Sequence, residues 1–259
     1  MDLKDTQSQK DHRKIDINKV GVKGIRYPIV VLDKKNKVQQ TVGTINMYVS
    51  LPHHFKGTHM SRFIEILNKY RHGISTKNIT EILVKMKEKL KSESAHIEIE
   101  FPFFIEKSAP VTKAKSLMEY RCYLCGSHDE RSDLIVGVEV PVTTLCPCSR
   151  EISNYGAHNQ RTTIMIKVRF NKFFWMEDLI MLAEKSASSE IYPLLKRPDE
   201  KFVTETAYDN PVFVEDVVRN MAEQLDKDPN ITWYTVESES RESIHNHSAY
   251  AFIEKDAGS

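Results

Sequence analysis

From Ile45 the chain alternates: Ile45, Met47, Val49 and Leu51 are apolar, while Asn46, Tyr48 and Ser50 between them are polar. A period of two is the signature of a half-buried strand. Upstream, Gly24-Ile25-Arg26-Tyr27-Pro28-Ile29-Val30-Val31-Leu32 reads as a strand with an early proline, and Asp33-Lys34-Lys35-Asn36-Lys37 as the turn that closes a hairpin. The period then changes. Met60, Phe63, Ile64, Leu67 and Tyr70 recur at helical spacing. After the His72-Gly73 break, Ile79, Ile82, Leu83, Met86 and Leu90 do so again, with Ser75 or Thr76 as cap. Alternation returns at Ile97, Ile99, Phe101 and Phe103, and a fourth strand follows Ala109-Pro110, running from about Leu117 to Leu124. The first half predicts ββααββ.

The second half repeats the pattern. Val136, Val138, Val140 and Val142 alternate with Gly137, Glu139 and Pro141, and Ile164, Ile166, Val168 and Phe170 form the paired strand. One helix carries Met176, Leu179, Ile180 and Ala183. Another opens at Asn210-Pro211, with proline at a favoured first position, and buries Val214, Val217, Val218, Met221 and Leu225. Strands over about Ile231–Glu237 and His247–Ile253 complete it. The expected class is α+β: an arm over 1–18, then two tandem ββααββ units over 19–130 and 131–259, with antiparallel sheets and helices on one face.

Composition narrows the function classes. The 259 residues are 40% hydrophobic with a formal net charge of +1, so no global basic field points to nucleic acid. The lysine- and glutamate-rich helix faces read as solvated surface. No apolar run approaches the length of a membrane span, and Met1-Asp2-Leu3-Lys4-Asp5 lacks the apolar core of a signal peptide. Four cysteines in a chain of this length then point to reduced thiols in a cytoplasm.

The halves differ in their connections. The first hairpin turn is short, but its counterpart is a polar loop of about fifteen residues, a length usually kept for function. It holds Cys146-Pro147-Cys148-Ser149-Arg150-Glu151 and then His158. Thiolate and imidazole are ligands that a borderline-soft ion such as zinc prefers. Cys146 and Cys148 are too close in sequence for an unstrained disulfide with each other. The bland alternative is a pair of small buried hydrophobes. A rival reading joins them to Cys122 and Cys125 as a four-cysteine structural zinc site in a non-enzymatic interaction module. Against it, Cys122 falls in a predicted strand, where residues three apart face opposite sides. Further ionisable residues gather at Lys196-Arg197-Pro198-Asp199-Glu200 and Glu239-Ser240-Arg241-Glu242-Ser243-Ile244-His245-Asn246-His247, where His245 and His247 would share a strand face.

These segments, with Val20-Gly21-Val22-Lys23-Gly24-Ile25-Arg26-Tyr27-Pro28-Ile29 and Asn210-Pro211-Val212-Phe213-Val214-Glu215-Asp216, resemble the prokaryotic type IB GTP cyclohydrolases, a tunnelling-fold (T-fold) group. The resemblance covers nearly the whole chain. It implies two ββααββ units per chain, assembly into a barrel as a homotetramer, and conversion of GTP and water to 7,8-dihydroneopterin triphosphate and formate, the first step of tetrahydrofolate synthesis. It implies a divalent metal (zinc, manganese or iron) on Cys148, His158 and Glu200. Cys146 would be a further ligand, a proton carrier or a redox liability. Glu242 and His245 would act as acid–base groups and Glu215 would bind the guanine. Lys196, Arg197 and Arg150 are the candidates for the triphosphate.

Overall fold

The computed structural model describes residues 7, 9, 11–70, 73–76 and 78–257. In chain order the elements are β1 (Ile17–Asp33), β2 (Lys37–Leu51), α1 (Met60–Lys69), α2 (Ile79–Leu90), β3 (Ala95–Ser108), β4 (Lys115–His128), β5 (Ser132–Leu145), α3 (Pro147–Ile152), β6 (Asn159–Phe170), α4 (Met176–Lys185), β7 (Ser189–Glu190), α5 (Arg197–Asp209), α6 (Val214–Leu225), β8 (Ile231–Arg241) and β9 (Ser248–Asp256). The strands join one nine-stranded sheet in the order β1-β2-β3-β4-β5-β6-β8-β9, with β7 pairing β5 off that path. Two tandem ββααββ units are therefore not what the chain forms. The second half interposes α3, β7 and α5, and the long strands share a single sheet instead of two. Alternation reveals strands but carries no information on which strands share a sheet. Much of the expected arm, residues 1–6, 8 and 10, lies outside the described residues, as does His72 of the expected helix break.

Two compact units divide the chain, one formed by the residues through Pro102 with Tyr123–Ile135, the other by Phe103–Cys122 with Val136–Ser259. In the first unit, β1 and β2 pair over most of their length, with register shifts between Ile17 and Val20 and between Val22 and Ile25. Gly24 occupies the second shift at φ +69°, a left-handed conformation that suits glycine, and its N–H donates to Asn46 Oδ1 at 2.8 Å. The alternating Ile45, Met47, Val49 and Leu51 are all buried, as are the five apolar positions of α2. On α1 the inward face is Phe63, Ile66 and Leu67, while Met60 and Ile64 are 40% and 38% exposed. Neither Ser75 nor Thr76 caps α2. Asn78 stands at that position, and its Oδ1 accepts from the Ser75 N–H.

The second unit holds the ionisable connections. β5 pairs β6 from Val136↔Val168 to Leu145↔Asn159, and β6 pairs β8 through Thr162↔Ser240 and Ile164↔Ser238. Positions two apart share a face, so three rows line up on one side of the sheet. Along β5 the row is Val138, Val140, Val142 and Thr144. Along β6 it is Ile166, Ile164, Thr162 and Gln160, and along β8 Val236, Ser238 and Ser240. All but Gln160 are 0–1% exposed. The face grades from aliphatic side chains to a layer of hydroxyls, and the next step along each strand is Cys146, His158 or Glu242. The core thus ends where the chemistry begins.

Candidate active site

Cys146 and His158 extend the β5–β6 ladder by one rung, with the Cys146 N–H donating to the His158 carbonyl at 3.1 Å. The expected irregular loop between them opens as the short helix α3, with Pro147 at its first position and Cys146 as N-cap; the Cys146 sulfur accepts from the Ser149 N–H at 3.4 Å. Ser149 Oγ in turn accepts from the His158 N–H at 3.2 Å. These bonds hold thiol and imidazole together without a tertiary partner.

A cavity of about 280 Å³ opens here, lined by Cys146, His158 and Gln160 from the β5–β6 connection, Phe213 and Glu215 at the start of α6, and Glu242, His245, His247 and Tyr250 around the β8–β9 turn. His158 and Glu242 are mostly buried, their side chains 15% and 14% exposed, and Glu242 Oε2 stands 3.9 Å from His158 Nδ1. The same ring nitrogen meets Gln160 Oε1 at 3.0 Å and Ser243 Oγ at 3.4 Å. Glu215 sits in the first turn of α6, where the helix dipole favours a carboxylate. His245 and His247 lie in the turn, not on a strand, and stack with centroids 5.1 Å apart.

Of the residues singled out in the sequence, Cys146, His158, Glu215, Glu242 and His245 meet in this cavity. Cys148, Glu200, Lys196, Arg197 and Arg150 do not line it. Cys148 is exposed on α3. Lys196 and Glu200 are exposed at the cap and first turn of α5, with Arg197 between them. The Arg150 guanidinium lies over the Tyr208 ring, 4.8 Å from its centroid. Gln160, Phe213 and Tyr250 line the cavity and were not singled out for roles. The signal for Gln160 was available, since it lies two residues beyond His158 at the start of a strand and so shares its face.

The donor chemistry fits a divalent ion. A thiol and an imidazole face one cavity, and the imidazole's Nδ1 is already engaged by protein groups, the usual arrangement when Nε2 is to bind a metal. Among the described residues no three His, Cys, Asp or Glu side chains form a closed ligand cluster. The four-cysteine alternative fares worse. Among the described residues Cys122, Cys125, Cys146 and Cys148 form no ligand cluster, and Cys122 is fully buried in β4.

Comparison with known proteins decides the family. Residues 3–251 match the family described as type I GTP cyclohydrolase folE2. The chain belongs to that family. This corrects the type IB assignment suggested by the sequence resemblance. The chain is 63% identical over 253 residues to the GTP cyclohydrolase FolE2 of Syntrophus aciditrophicus, covering 97% of this chain and 99% of that one. It is 60% identical over 254 residues to the FolE2 of Geobacter metallireducens, covering 98% and 97%. Among solved structures it is similar to the uricase of Arthrobacter globiformis, with a TM-score of 0.52 at 10% identity over 92% of each chain. The urate oxidase of Bacillus sp. TB-90 gives 0.52 at 8% identity over 93% of this chain and 99% of that one. Those likenesses speak to fold alone.

Proposed function

We propose that this chain is a GTP cyclohydrolase, converting GTP and water to 7,8-dihydroneopterin triphosphate and formate, the first step of tetrahydrofolate biosynthesis. The observation that carries the reading is the meeting of Cys146, His158, Glu215, Glu242 and His245 in one cavity of a FolE2-family chain.

The chemistry requires water to add at carbon 8 of guanine, the imidazole ring to open, and the formyl group to leave as formate. Glu215 is suited to hold the base, because a carboxylate accepts two adjacent N–H donors such as those on the guanine edge. Phe213 and Tyr250, 40% and 56% exposed beside it, offer aromatic surface to a purine. Small-molecule pockets run to about 300–1,000 Å³, so this cavity suits the base, and the triphosphate lies outside it. Glu242 and His245 move protons between water, ring nitrogen and leaving group; an imidazole titrates near neutrality and serves both directions. A divalent ion (zinc, manganese or ferrous iron) held by His158 and Cys146 would supply Lewis acidity toward water. Cys146 is proposed as donor ahead of Cys148 because its thiol is the one in the cavity. Lys196, Arg197 and Arg150 remain the proposed cations for the triphosphate.

We also propose a homo-oligomer. The terminal strand β9 supports it by presenting Tyr250 and Phe252, each at least half exposed.

The test is neopterin product formation by wild type, His158→Ala and Glu215→Gln. Loss of turnover in His158→Ala and a fall in kcat/KM of about 10² or more in Glu215→Gln are expected. Wild-type rates in both variants would contradict the reading.

A further inference from the structure

The hydroxyl layer beneath the cavity takes no part in the chemistry above, yet its proton count bears on His158. Thr144, Thr162 and Ser240 are each at most 1% exposed. Thr162 Oγ1 donates to Ser240 Oγ at 3.0 Å, and Thr144 Oγ1 lies 2.7 Å from Thr162 Oγ1. A hydroxyl has one proton to give. Thr162 gives its proton to Ser240, so the 2.7 Å bond carries the proton of Thr144. The longer 3.5 Å contact between Thr144 and Ser240 is open to the Ser240 proton, which the layer leaves unspent. Toward Gln160, Thr144 Oγ1 is then left only to accept, which it does from Gln160 Nε2 at 3.2 Å. The amide is fixed with its nitrogen toward Thr144 and its carbonyl toward His158 Nδ1, 3.0 Å away. A carbonyl cannot donate. In the neutral ring the hydrogen therefore sits on Nδ1, and Nε2 keeps its lone pair.

We propose that Gln160 is a positioning residue that sets the tautomer of His158, with the buried Thr144–Thr162–Ser240 layer as the stop that prevents the amide from flipping. Glu242, 3.9 Å from the same ring nitrogen, favours the same N–H, and the Ser243 hydroxyl at 3.4 Å is compatible with it. The layer explains why three hydroxyls replace aliphatic side chains where the core approaches the cavity. An apolar layer would leave the Gln160 amide free to turn, and the opposite orientation would place the hydrogen on Nε2. The consequence for cation binding rests on the reading of His158 as a metal donor; the tautomer itself does not.

The experiment uses the full chain labelled with ¹⁵N-histidine, stripped of metal and held at mildly alkaline pH where imidazoles are neutral. His158 is identified by the resonances lost in His158→Asn. Wild type is expected to show a protonated Nδ1 and an unprotonated Nε2. Gln160→Leu should shift the population toward Nε2–H, Gln160→Glu should preserve Nδ1–H, and Thr144→Val should shift it by releasing the amide. If Gln160→Leu fails to fold, Thr144→Val carries the test. Zinc affinity by chelator competition should fall about 10–100-fold in Gln160→Leu and recover in Gln160→Glu. A wild-type His158 protonated at Nε2, or a tautomer indifferent to both Gln160→Leu and Thr144→Val, overturns the proposal. A tautomer that responds as expected in a protein that binds no zinc upholds it and overturns the cation reading instead.

Discussion

Two thiols two residues apart are chemically alike in a sequence, and only the strand register separates them. Cys146 lies on the inward row with Thr144 and Val142, whereas Cys148 falls within α3 and is exposed. Cys146→Ala should therefore weaken zinc binding far more than Cys148→Ala when both are titrated against a chromophoric chelator. Equal affinities would refute that ordering. A second residue-scale feature lies away from the cavity. Lys107 Nζ, on a side chain 8% exposed, meets Glu184 at 2.6 Å and Glu190 at 2.8 Å and donates to the Ile191 carbonyl at 3.0 Å. Tyr120 donates to Glu184 as well, at 2.6 Å. Burial raises the Glu184 carboxyl, with Lys107 and Tyr120 opposing. Lys107→Ala would strand two carboxylates, one of them deeply buried, and should cost about 3–5 kcal/mol in denaturant unfolding. A change below about 1 kcal/mol, the level of a surface pair, would show the cluster to be solvated. No sequence pattern announced this cluster, because Lys107 and Tyr120 precede Glu184 by 77 and 64 residues in the chain.

At the scale of elements, periodicity was a sufficient guide wherever one face meets the core. Ile45 to Leu51, Val136 to Val142 and the apolar positions of α2 are buried as their spacing implies. It failed for α5, which buries only Asp199 and Ala207. A helix with almost no inward face leaves little apolar signal. Pro198 in its first turn and Asp199 at its third position were the legible cues. Asp199 ties that helix to the β3–β4 turn. Its carboxylate accepts from the N–H groups of Val111 and Thr112 at 2.8 Å, the Thr112 hydroxyl at 2.6 Å and the Lys196 N–H at 3.0 Å. Burial works to raise this carboxyl, but the bonds from Thr112, Lys196 and Val111 prevail and hold it well below the usual carboxylate range. A depressed folded-state pKa gives stability that is complete above the unfolded carboxylate's pKa and is lost as pH falls below it. Asp199→Asn should lower the melting temperature at neutral pH and flatten its acid dependence; melting curves that keep the wild-type acid slope would contradict this.

For the whole molecule, the sequence revealed the strands but not their arrangement as one sheet, and the ββααββ duplication does not survive in the second half. Of the ten residues put forward for the site, five line one cavity and five do not. Ionisable residues in connections are conspicuous, and Cys146, His158, Glu215, Glu242 and His245 converge on one cavity from three separate segments. The buried hydroxyl layer was not legible, since threonine and serine at strand ends read as ordinary polar positions until register aligns them. We propose that this cavity opens the guanine ring of GTP with the help of a divalent ion. It is tested most directly by incubating metal-stripped protein with GTP and zinc, manganese, ferrous iron or no metal, and measuring formate and the neopterin product together. One formate per neopterin is expected, restored by metal and absent in His158→Ala. Folded protein that binds GTP yet releases no formate with any of these ions would contradict it.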